Sequence, residues 1–336
     1  MRSGALSLAA LSALALTAGC SGGGSGGGSG GTITIGAVPG VDTVPLFSAE
    51  RSGQFSAGGV SVQIKKYASV AAEVSALKNG QIDMAAGDYG PFLLAQSQQK
   101  ADGPQIKIVA DGYDATQGVL EVVARPNTGI TSPRNLAGKA IAAPSEAVLP
   151  KSASASASTA NGSGAPDSLD TAATTSVLRS YGVNMATVTW KVMSQSAEIA
   201  ALRNGSVQAI LVNEPYIYQA QSQLGAIEVL DGCSGATAGL PLSGYFAMST
   251  WTASHAAAVS AFKSVLGRAQ ATSAMDGPVQ NNLPGYTGMT KLEANLVTLG
   301  SYPSTTNSSE VQRVSQLMSD QGLLTVPVAV GNLIVH

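Results

Sequence analysis

Carboxylate and tyrosine side chains occur in two loops that follow near copies of one segment, 125 residues apart. Residues 72–83 read AEVSALKNGQID, and residues 197–208 read AEIAALRNGSVQ. The loops that follow are AGDYGP and VNEPY, and each brings a carboxylate and a tyrosine close to a proline. Carboxylates accept hydrogen bonds, and a tyrosine offers a flat apolar face with one hydroxyl, so both loops could hold a small polar ligand.

Each copy has the pattern of a short helix that ends at Asn-Gly and is followed by a strand. Two α/β units of one design are therefore expected, although a chance similarity between two common helix–turn–strand units is the alternative. In open α/β sheets, ligands bind outside the carboxyl ends of the strands. We therefore predict that Asp88 and Glu214, which follow the two strands, face one cleft.

The composition excludes several classes of protein. The 336 residues include 18 basic and 20 acidic side chains, for a net charge of −2, so nucleic-acid binding is not expected. The only histidines are His255 and His336, and the only cysteines are Cys20 and Cys233. These numbers argue against a zinc site of clustered histidines, a Ser-His-Asp triad and a disulfide scaffold. We predict no metal site, no cofactor and no catalytic residue.

The N-terminal residues are typical of an export signal. Residues 1–19 contain one early arginine and an uncharged run that is too short to span a bilayer, which predicts a signal peptide. Thr17-Ala18-Gly19 directly before Cys20 resembles a bacterial lipobox, so Cys20 is the predicted lipidation site. An ordinary secretory signal that contains a cysteine is the alternative. The Gly/Ser-rich residues that complete 20–31 are predicted to be a flexible tether.

The remainder of the chain is predicted to form two lobes. The first lobe is built from 32–125, the second from 126–240, and the first is completed by 241–336, which ends in helices. Strand-like segments near 119–125 and 241–248 are interpreted as two passages between the lobes, and two such passages form a hinge that suits closure around a ligand. The low-complexity segment 151–164 is predicted to be an exposed loop.

The order and spacing of several motifs resemble a known family. The motifs are IGAVPGVD at 35–42, NGQIDMAAGDY at 79–89, IVADGY at 108–113, GAPD at 164–167, NEPY at 213–216 and AGLPLSGY at 238–245. They resemble the extracellular substrate-binding lipoproteins of ABC importers, in the group that takes sulfonates, taurine, nitrate and thiamine-precursor pyrimidines. The resemblance implies an α/β, two-lobed type II periplasmic-binding-protein fold with a hinge of two crossing strands.

The same resemblance implies a function and a place in the cell. The chain would be a monomer, anchored by lipid at the outer face of the cytoplasmic membrane. It would bind a small polar organic ligand between its lobes and deliver it to a membrane permease. The alternatives are an enzyme that resembles pyrimidine-precursor synthases on the same fold, and a sensory binding protein without transport.

Residue by residue, the resemblance implies a ligand site formed by loops of both lobes. The candidate ligand-binding residues are Asp42, Thr43, Asp88, Tyr89, Asp111, Tyr113, Gly164, Ala165, Glu214 and Tyr216. Four of these are acids, and no arginine or lysine lies in the same loops. The sequence therefore favours a neutral or amino-bearing ligand, whereas the family as a whole leaves anions open.

Overall fold

The computed structural model describes residues 31–144 and 168–336, which form a mixed α/β structure. The strands are β1 (Ile33–Ala37), β2 (Val62–Lys66), β3 (Met84–Asp88), β4 (Ile106–Asp114), β5 (Leu120–Ala124), β6 (Ala140–Pro144), β7 (Thr189–Met193), β8 (Ala209–Asn213), β9 (Ile227–Asp231) and β10 (Pro241–Met248). The helices are α1 (Val44–Arg51), α2 (Gln54–Ala57), α3 (Val70–Lys78), α4 (Tyr89–Ser97), α5 (Leu169–Ser180), α6 (Gln195–Asn204), α7 (Tyr216–Leu224), α8 (Ser249–Ser254), α9 (Ala256–Ser273), α10 (Asp276–Asn282), α11 (Lys291–Leu296) and α12 (Ser308–Asp320). The signal peptide, Cys20 and nearly all of the tether predicted from the sequence lie outside the described residues, as does the loop at 151–164.

The strands form two five-stranded sheets with the same arrangement. The first sheet has the order β2-β1-β3-β10-β4, and the second has the order β7-β6-β8-β5-β9. In each sheet the first three strands are parallel. The fourth strand, β10 in the first sheet and β5 in the second, is antiparallel to both of its neighbours.

Within the described ranges, the chain passes from one sheet to the other twice. It leaves the first sheet at the end of β4 and enters the second at β5, so the first crossing is residues 115–119. It leaves the second sheet at the end of β9 and returns at β10. Residues 120–124 lie within the predicted first part of the first lobe, 32–125, and they pair with β8 and β9 in the second sheet. Their sequence, LEVVA, is buried throughout, as a strand between two others requires. The lobe boundaries themselves remain a prediction.

The repeated segments fold as the sequence predicts, each as a helix, a turn and a strand. Ser69 and Ser194 begin α3 and α6, and their hydroxyls accept hydrogen bonds from the backbone N–H groups of Ala72 and Ala197. Such a cap satisfies one of the N–H groups that a helix leaves unpaired at its start. Gly80 and its equivalent, Gly205, follow the two helices with φ of +67° and +77°, a left-handed conformation that glycine adopts without strain.

Apolar side chains pack the helices against both sheets. On the first sheet, α9 contributes Phe262, which stacks on Phe55 of α2 and meets Tyr245 of β10 edge-on. On the second sheet, α6 and α7 cover β8 with Leu202 and Ile217 among other apolar side chains. These packed helices hold the strand ends in fixed positions around the space between the sheets. Among the helices at 31–144 and 168–336, none is long and apolar enough to cross a membrane.

Candidate functional site

A cavity of about 470 Å³ lies between the two sheets, at the carboxyl ends of their parallel strands. Loops that follow strands of the first sheet form one wall, and loops and helix starts of the second sheet form the other. This is the position in which open α/β sheets bind ligands. The polar and aromatic residues of the lining are Asp42, Asp88, Tyr113, Asp170, Ser194, Gln195, Asn213, Glu214, Tyr216, Ser243, Thr287 and Thr298.

Asp42 reaches the cavity from the turn between β1 and α1. Thr43 holds this turn, because its hydroxyl accepts a hydrogen bond from the N–H of Gly40 at 3.1 Å and lies 3.1 Å from the carbonyl oxygen of the same residue. Burial raises the pKa of Asp42 from 3.8 to about 6, and hydrogen bonds from Ser243 and from the backbone offset part of the rise. Thr43 is therefore a residue that positions Asp42, and it is not itself in the lining.

Asp88 ends β3 and lies in the same wall as Asp42. Directly behind this wall, Glu73 of α3 is fully buried, and one of its carboxylate oxygens accepts a 2.6 Å hydrogen bond from the N–H of Ala86. The other oxygen, Oε2, lies against Gly87 and has no hydrogen-bond partner among the described residues. Burial raises the pKa of Glu73 well above its ordinary value, and repulsion from Asp42 and Asp88 adds to the rise.

Glu214 faces the cavity from the end of β8 in the second sheet. Its two carboxylate oxygens accept hydrogen bonds from the N–H of Thr298 at 3.0 Å and of Tyr218 at 3.2 Å. Burial raises the pKa of Glu214, and these two hydrogen bonds lower it in part. Beside it, the side-chain oxygen of Asn213 accepts a 2.9 Å hydrogen bond from the amide of Gln195. The geometry fixes the orientation of both polar side chains.

Asp170 is a lining residue that the sequence analysis missed. It lies in the first turn of α5, where an acid is common because it favours the helix dipole. Burial raises its pKa from 3.8 to about 6, and repulsion from Asp42 adds to the rise, so the two carboxylates are close enough to interact across the cavity. No local signal marks this position, because the stretch before α5 is low in complexity and the acid resembles an ordinary helix-start residue.

The structure brings together half of the predicted site residues. Asp42, Asp88, Tyr113, Glu214 and Tyr216 all line the cavity. Gly164 and Ala165 lie outside the described residues. Ser194, Gln195, Asn213 and Ser243 also line it and were not predicted. Ser194 and Gln195 are equivalent in the 125-residue repeat to Ser69 and Val70, and Val70 and its neighbour Ala68 also line the cavity. The two repeated helices thus both begin at the cavity.

Two predicted residues, Tyr89 and Asp111, form a buried pair outside the lining. The hydroxyl of Tyr89 donates a 3.1 Å hydrogen bond to Asp111, and the backbone N–H of Gly112 donates to the same carboxylate oxygen. Burial raises the pKa of Asp111 to about 8, and repulsion from Asp114 adds to the rise. Tyr89 begins α4 with its ring packed edge-on against Phe246, inside the first sheet's core. Tyr89 and Asp111 therefore pack inside the first sheet's core, and neither side chain lines the cavity.

The charges of the lining all have one sign. Four described lining residues are carboxylates, namely Asp42, Asp88, Asp170 and Glu214, and none is lysine, arginine or histidine. Within the same described ranges, no group of three or more His, Cys, Asp or Glu side chains is arranged to hold a metal ion. The described part of the lining therefore combines carboxylates with hydroxyl, amide and tyrosine groups.

The two residue types that most often act as nucleophile and base lie away from this cavity. Cys233 is buried beside the second crossing, and burial raises the pKa of its thiol. His255 is exposed at the start of α9, where its ring stacks on Trp251 with the ring centroids 4.7 Å apart. Neither residue lines the cavity.

Solved structures share this fold over nearly the whole chain. The aliphatic sulphonate binding protein SsuA from Escherichia coli, which is periplasmic, is 16% identical, with 91% of this chain and 98% of that one covered and a TM-score of 0.68. The zinc-bound ligand-binding component of an ABC-type import system from Staphylococcus aureus is 15% identical, with 90% and 96% covered and a TM-score of 0.70. The desulfurization enzyme DSZB is 16% identical, with 90% and 96% covered and a TM-score of 0.66.

At these identities the similarity shows the fold, and it confirms the predicted two-lobed periplasmic-binding-protein fold. Comparison with curated protein sequences gave no match. A family model that describes the NMT1-like family matches residues 29–285, which is well over half of the chain. The chain belongs to the NMT1-like family.

Proposed function

We propose that this chain is the extracytoplasmic solute-binding component of an ABC importer. It captures a small polar organic ligand between two lobes and delivers the ligand to a membrane permease. The observation that carries the proposal is the cavity of about 470 Å³, which is lined from both sheets. Between the described strands, the chain crosses from one sheet to the other twice. Two crossings allow the two walls to close on a ligand as a hinge.

The polar lining supports binding of a small molecule. Clefts of roughly 300–1,000 Å³ with a few oriented polar groups are typical ligand sites. Here Glu214 and Asn213 are each fixed by hydrogen bonds, so their positions are set before a ligand arrives. Such preorganisation lowers the entropy cost of binding.

A ligand screen with a structural readout tests this function. A ligand present at 100 times its dissociation constant stabilises the folded protein by about 2.7 kcal/mol, which a thermal-shift assay detects. Small-angle scattering should then show a smaller radius of gyration as the walls approach. The ligand should be recovered unaltered after long incubation. Steady formation of a product would instead assign the protein to the enzymes, among which DSZB has this fold.

Anchoring by lipid is a separate part of the proposal, motivated by Thr17-Ala18-Gly19 before Cys20. Two acyl chains give stable membrane binding, because each buried CH₂ contributes about 0.8 kcal/mol and a single chain is marginal. Cys20→Ala should release the protein from membranes or block its processing, as measured by detergent-phase partitioning. Cys233→Ala is the matched control, because that thiol is buried within the folded part of the chain. Unchanged partitioning of Cys20→Ala would contradict the anchor.

A further inference from the structure

One segment of the chain contacts both walls of the cavity. It comprises residues 286–302, which lie between α10 and α12 and include α11, and we call it the strap. Three of its side chains, Thr287, Met289 and Thr298, line the cavity. The strap is thus part of the site, although none of the strands β1–β10 lies within it.

Close backbone contacts fix the strap to the first sheet. Ser301 and Asp114, which ends β4, exchange two backbone hydrogen bonds of 2.9 and 3.1 Å. The N–H of Gly300 donates a hydrogen bond to the hydroxyl of Tyr113 in the same strand. A methyl group on Gly300 would overlap the carbonyl oxygen of Asp114, so glycine is required for the strap to lie this close.

Two tyrosines at the ends of the strap hold the turn that carries Asp42. The hydroxyl of Tyr286 donates a 2.9 Å hydrogen bond to the carbonyl oxygen of Gly40. The hydroxyl of Tyr302 donates a 2.6 Å hydrogen bond to the carbonyl oxygen of Val41. Asp42 is the next residue, so the strap determines the path of the backbone that brings its carboxylate to the cavity.

The strap also contacts the second wall. The N–H of Thr298 donates a 3.0 Å hydrogen bond to one carboxylate oxygen of Glu214, and the other oxygen accepts from the N–H of Tyr218 in α7. Glu293 of α11 forms a side-chain hydrogen bond with Gln219 of α7. Both oxygens of Glu214 therefore have partners within the protein, and one of these partners belongs to a segment fixed to the opposite wall.

We propose that the strap is a positioning element that sets the distance between the two walls, and that Glu214 is the point at which the second wall is fastened to it. This inference rests on the proposed binding function, because it concerns how the two walls of that site are coupled. When Glu214 is ionised, its hydrogen bonds are roughly twice as strong as those between neutral groups. A shift of the second wall is then transmitted through the strap to the turn that carries Asp42.

Two other roles for Glu214 agree less well with its contacts. A carboxylate that only begins α7 would accept hydrogen bonds from that helix, whereas one oxygen of Glu214 accepts from Thr298, 84 residues further along the chain. A carboxylate whose main role is to bind a ligand would keep its oxygens for that ligand, whereas each oxygen of Glu214 already accepts a backbone hydrogen bond. Glu214 is therefore assigned as a positioning residue.

Hydrogen exchange of the full chain, measured by mass spectrometry, tests the coupling. Thr298→Pro removes the N–H, and Val297, with φ of −66° and ψ of 140°, already has the conformation that a residue before proline requires. We expect exchange at 214–220 and, in the opposite wall, at 38–47 to accelerate about tenfold, the change that corresponds to one hydrogen bond to a charged group. Thr298→Ala is the matched control, because it keeps the N–H and should exchange like the parent.

The reverse experiment starts from the first wall. Tyr302→Phe removes the hydroxyl that holds the carbonyl of Val41, and it should accelerate exchange at 214–220 in the second wall. Tyr181→Phe is the matched control, because Tyr181 is an exposed tyrosine outside the strap, and both regions should then exchange at the parent's rate.

The outcomes decide the role of the strap separately from the binding function. Faster exchange in the opposite wall in both experiments would support the coupling. The proposal would be overturned if Thr298→Pro changed only 214–220 and Tyr302→Phe changed only 38–47. Circular dichroism verifies the fold of each variant, and Tyr302→Phe decides alone if the proline variant does not fold. A thermal-shift screen without any hit would count against the binding function, whereas the exchange rates would still decide whether the strap couples the walls.

Discussion

The unit from Ser69 to Asp88 and its copy from Ser194 to Asn213 share a backbone frame but present different groups to the cavity. Both begin at a capping serine and turn at a left-handed glycine, and both strands end at the cavity wall. The first strand ends in a carboxylate, Asp88, whereas the second ends in an amide, Asn213, that Gln195 holds. The residue after each strand also differs, because Tyr89 packs inward and Glu214 faces the cavity. The two units thus share the backbone of a helix, a turn and a strand, but they place different side chains at the ends of their strands.

The buried glutamates of the two units differ in the same way. Glu73 gives one oxygen to the N–H of Ala86, whereas Glu198 has no hydrogen-bond partner for either oxygen among the described residues. Both occupy the fourth position of their helices, in the first turn, where an acid interacts favourably with the helix dipole. Equivalent positions in the two units therefore have unequal roles, and matched substitutions can measure the difference.

The largest expected effect concerns the two carboxylates that face one another from the two sheets. The pKa values of Asp42 and Asp170 are raised from 3.8 to about 6. The folded protein therefore binds these protons more tightly than the unfolded chain, so the stability they contribute is present below about pH 3.8 and lost as the pH rises through about 6. Asp42→Asn should raise the free energy of unfolding at pH 7 by up to about 3 kcal/mol, because one pKa unit corresponds to about 1.4 kcal/mol.

Urea unfolding of Asp42→Asn, Asp170→Asn and the double variant at pH 4 and pH 7 measures this effect. The gain in free energy of unfolding of the double variant should be smaller than the sum of the two single gains, because each substitution removes the same repulsion. Equal stability of the parent and both single variants at pH 7 would contradict the raised pKa values of these two carboxylates, whose main cause is burial.

The next effect separates the two buried glutamates. Glu73→Leu leaves the N–H of Ala86 without its acceptor, which should cost about 1–3 kcal/mol of stability. Glu198→Leu removes a carboxyl group without hydrogen-bond partners among the described residues, so its stability should stay near the parent's or rise. Denaturant unfolding at pH 7 compares the two. Equal losses in both variants would mean that the two glutamates have the same role.

The capping serines should have equal and smaller effects. Ser69→Ala and Ser194→Ala each remove one side-chain acceptor at a helix start, which typically costs about 1 kcal/mol. Thermal unfolding should show similar losses for both, and Ser→Asp at each position should retain most of the stability. A loss of stability in only one of the two alanine variants would contradict the equivalence of the two capping serines.

The smallest effect is expected at the turn glycines. Gly80→Ala and Gly205→Ala force a left-handed conformation on alanine, and part of the cost is offset by the stiffer unfolded chain, which leaves about 0.5–1 kcal/mol. No atom lies within 4 Å of the added methyl group at either position, so backbone strain is the whole effect. Gly→Asn is the control, because asparagine tolerates this conformation better. Thermal unfolding that shows no loss in either variant would contradict the left-handed turns.

The helices and strands of the two repeated units could be predicted from the sequence, because the signals for them are local. Capping serines, Asn-Gly and the helical pattern act within a few residues, and they located α3, β3, α6 and β8. The direction of a side chain at a strand end is not a local property. Tyr89 and Glu214 occupy equivalent places in the repeat, yet packing against Phe246 turns one inward while two N–H donors hold the other at the cavity.

Contacts between distant segments explain the remaining misses. Ser243 was part of a quoted motif, but its place in the lining depends on β10 pairing with β3 and β4 from more than 100 residues away. Asp170 meets Asp42 only because two sheets come together. The place of residues 120–124 in the second sheet has the same origin, since pairing with β8 and β9 decides sheet membership and no short pattern encodes it.

The position of β10 has a consequence for the order in which the protein is synthesised. All five strands of the second sheet lie within residues 120–231, so a ribosome has made that sheet completely before it reaches β10. The first sheet contains β3 and β4 but has no strand between them until residues 241–248 emerge. The first sheet therefore cannot be completed before β10 has been synthesised. The second sheet is the one that can fold first during translation. A released fragment that ends at residue 240 would contain every strand of the second sheet but would lack β10 of the first.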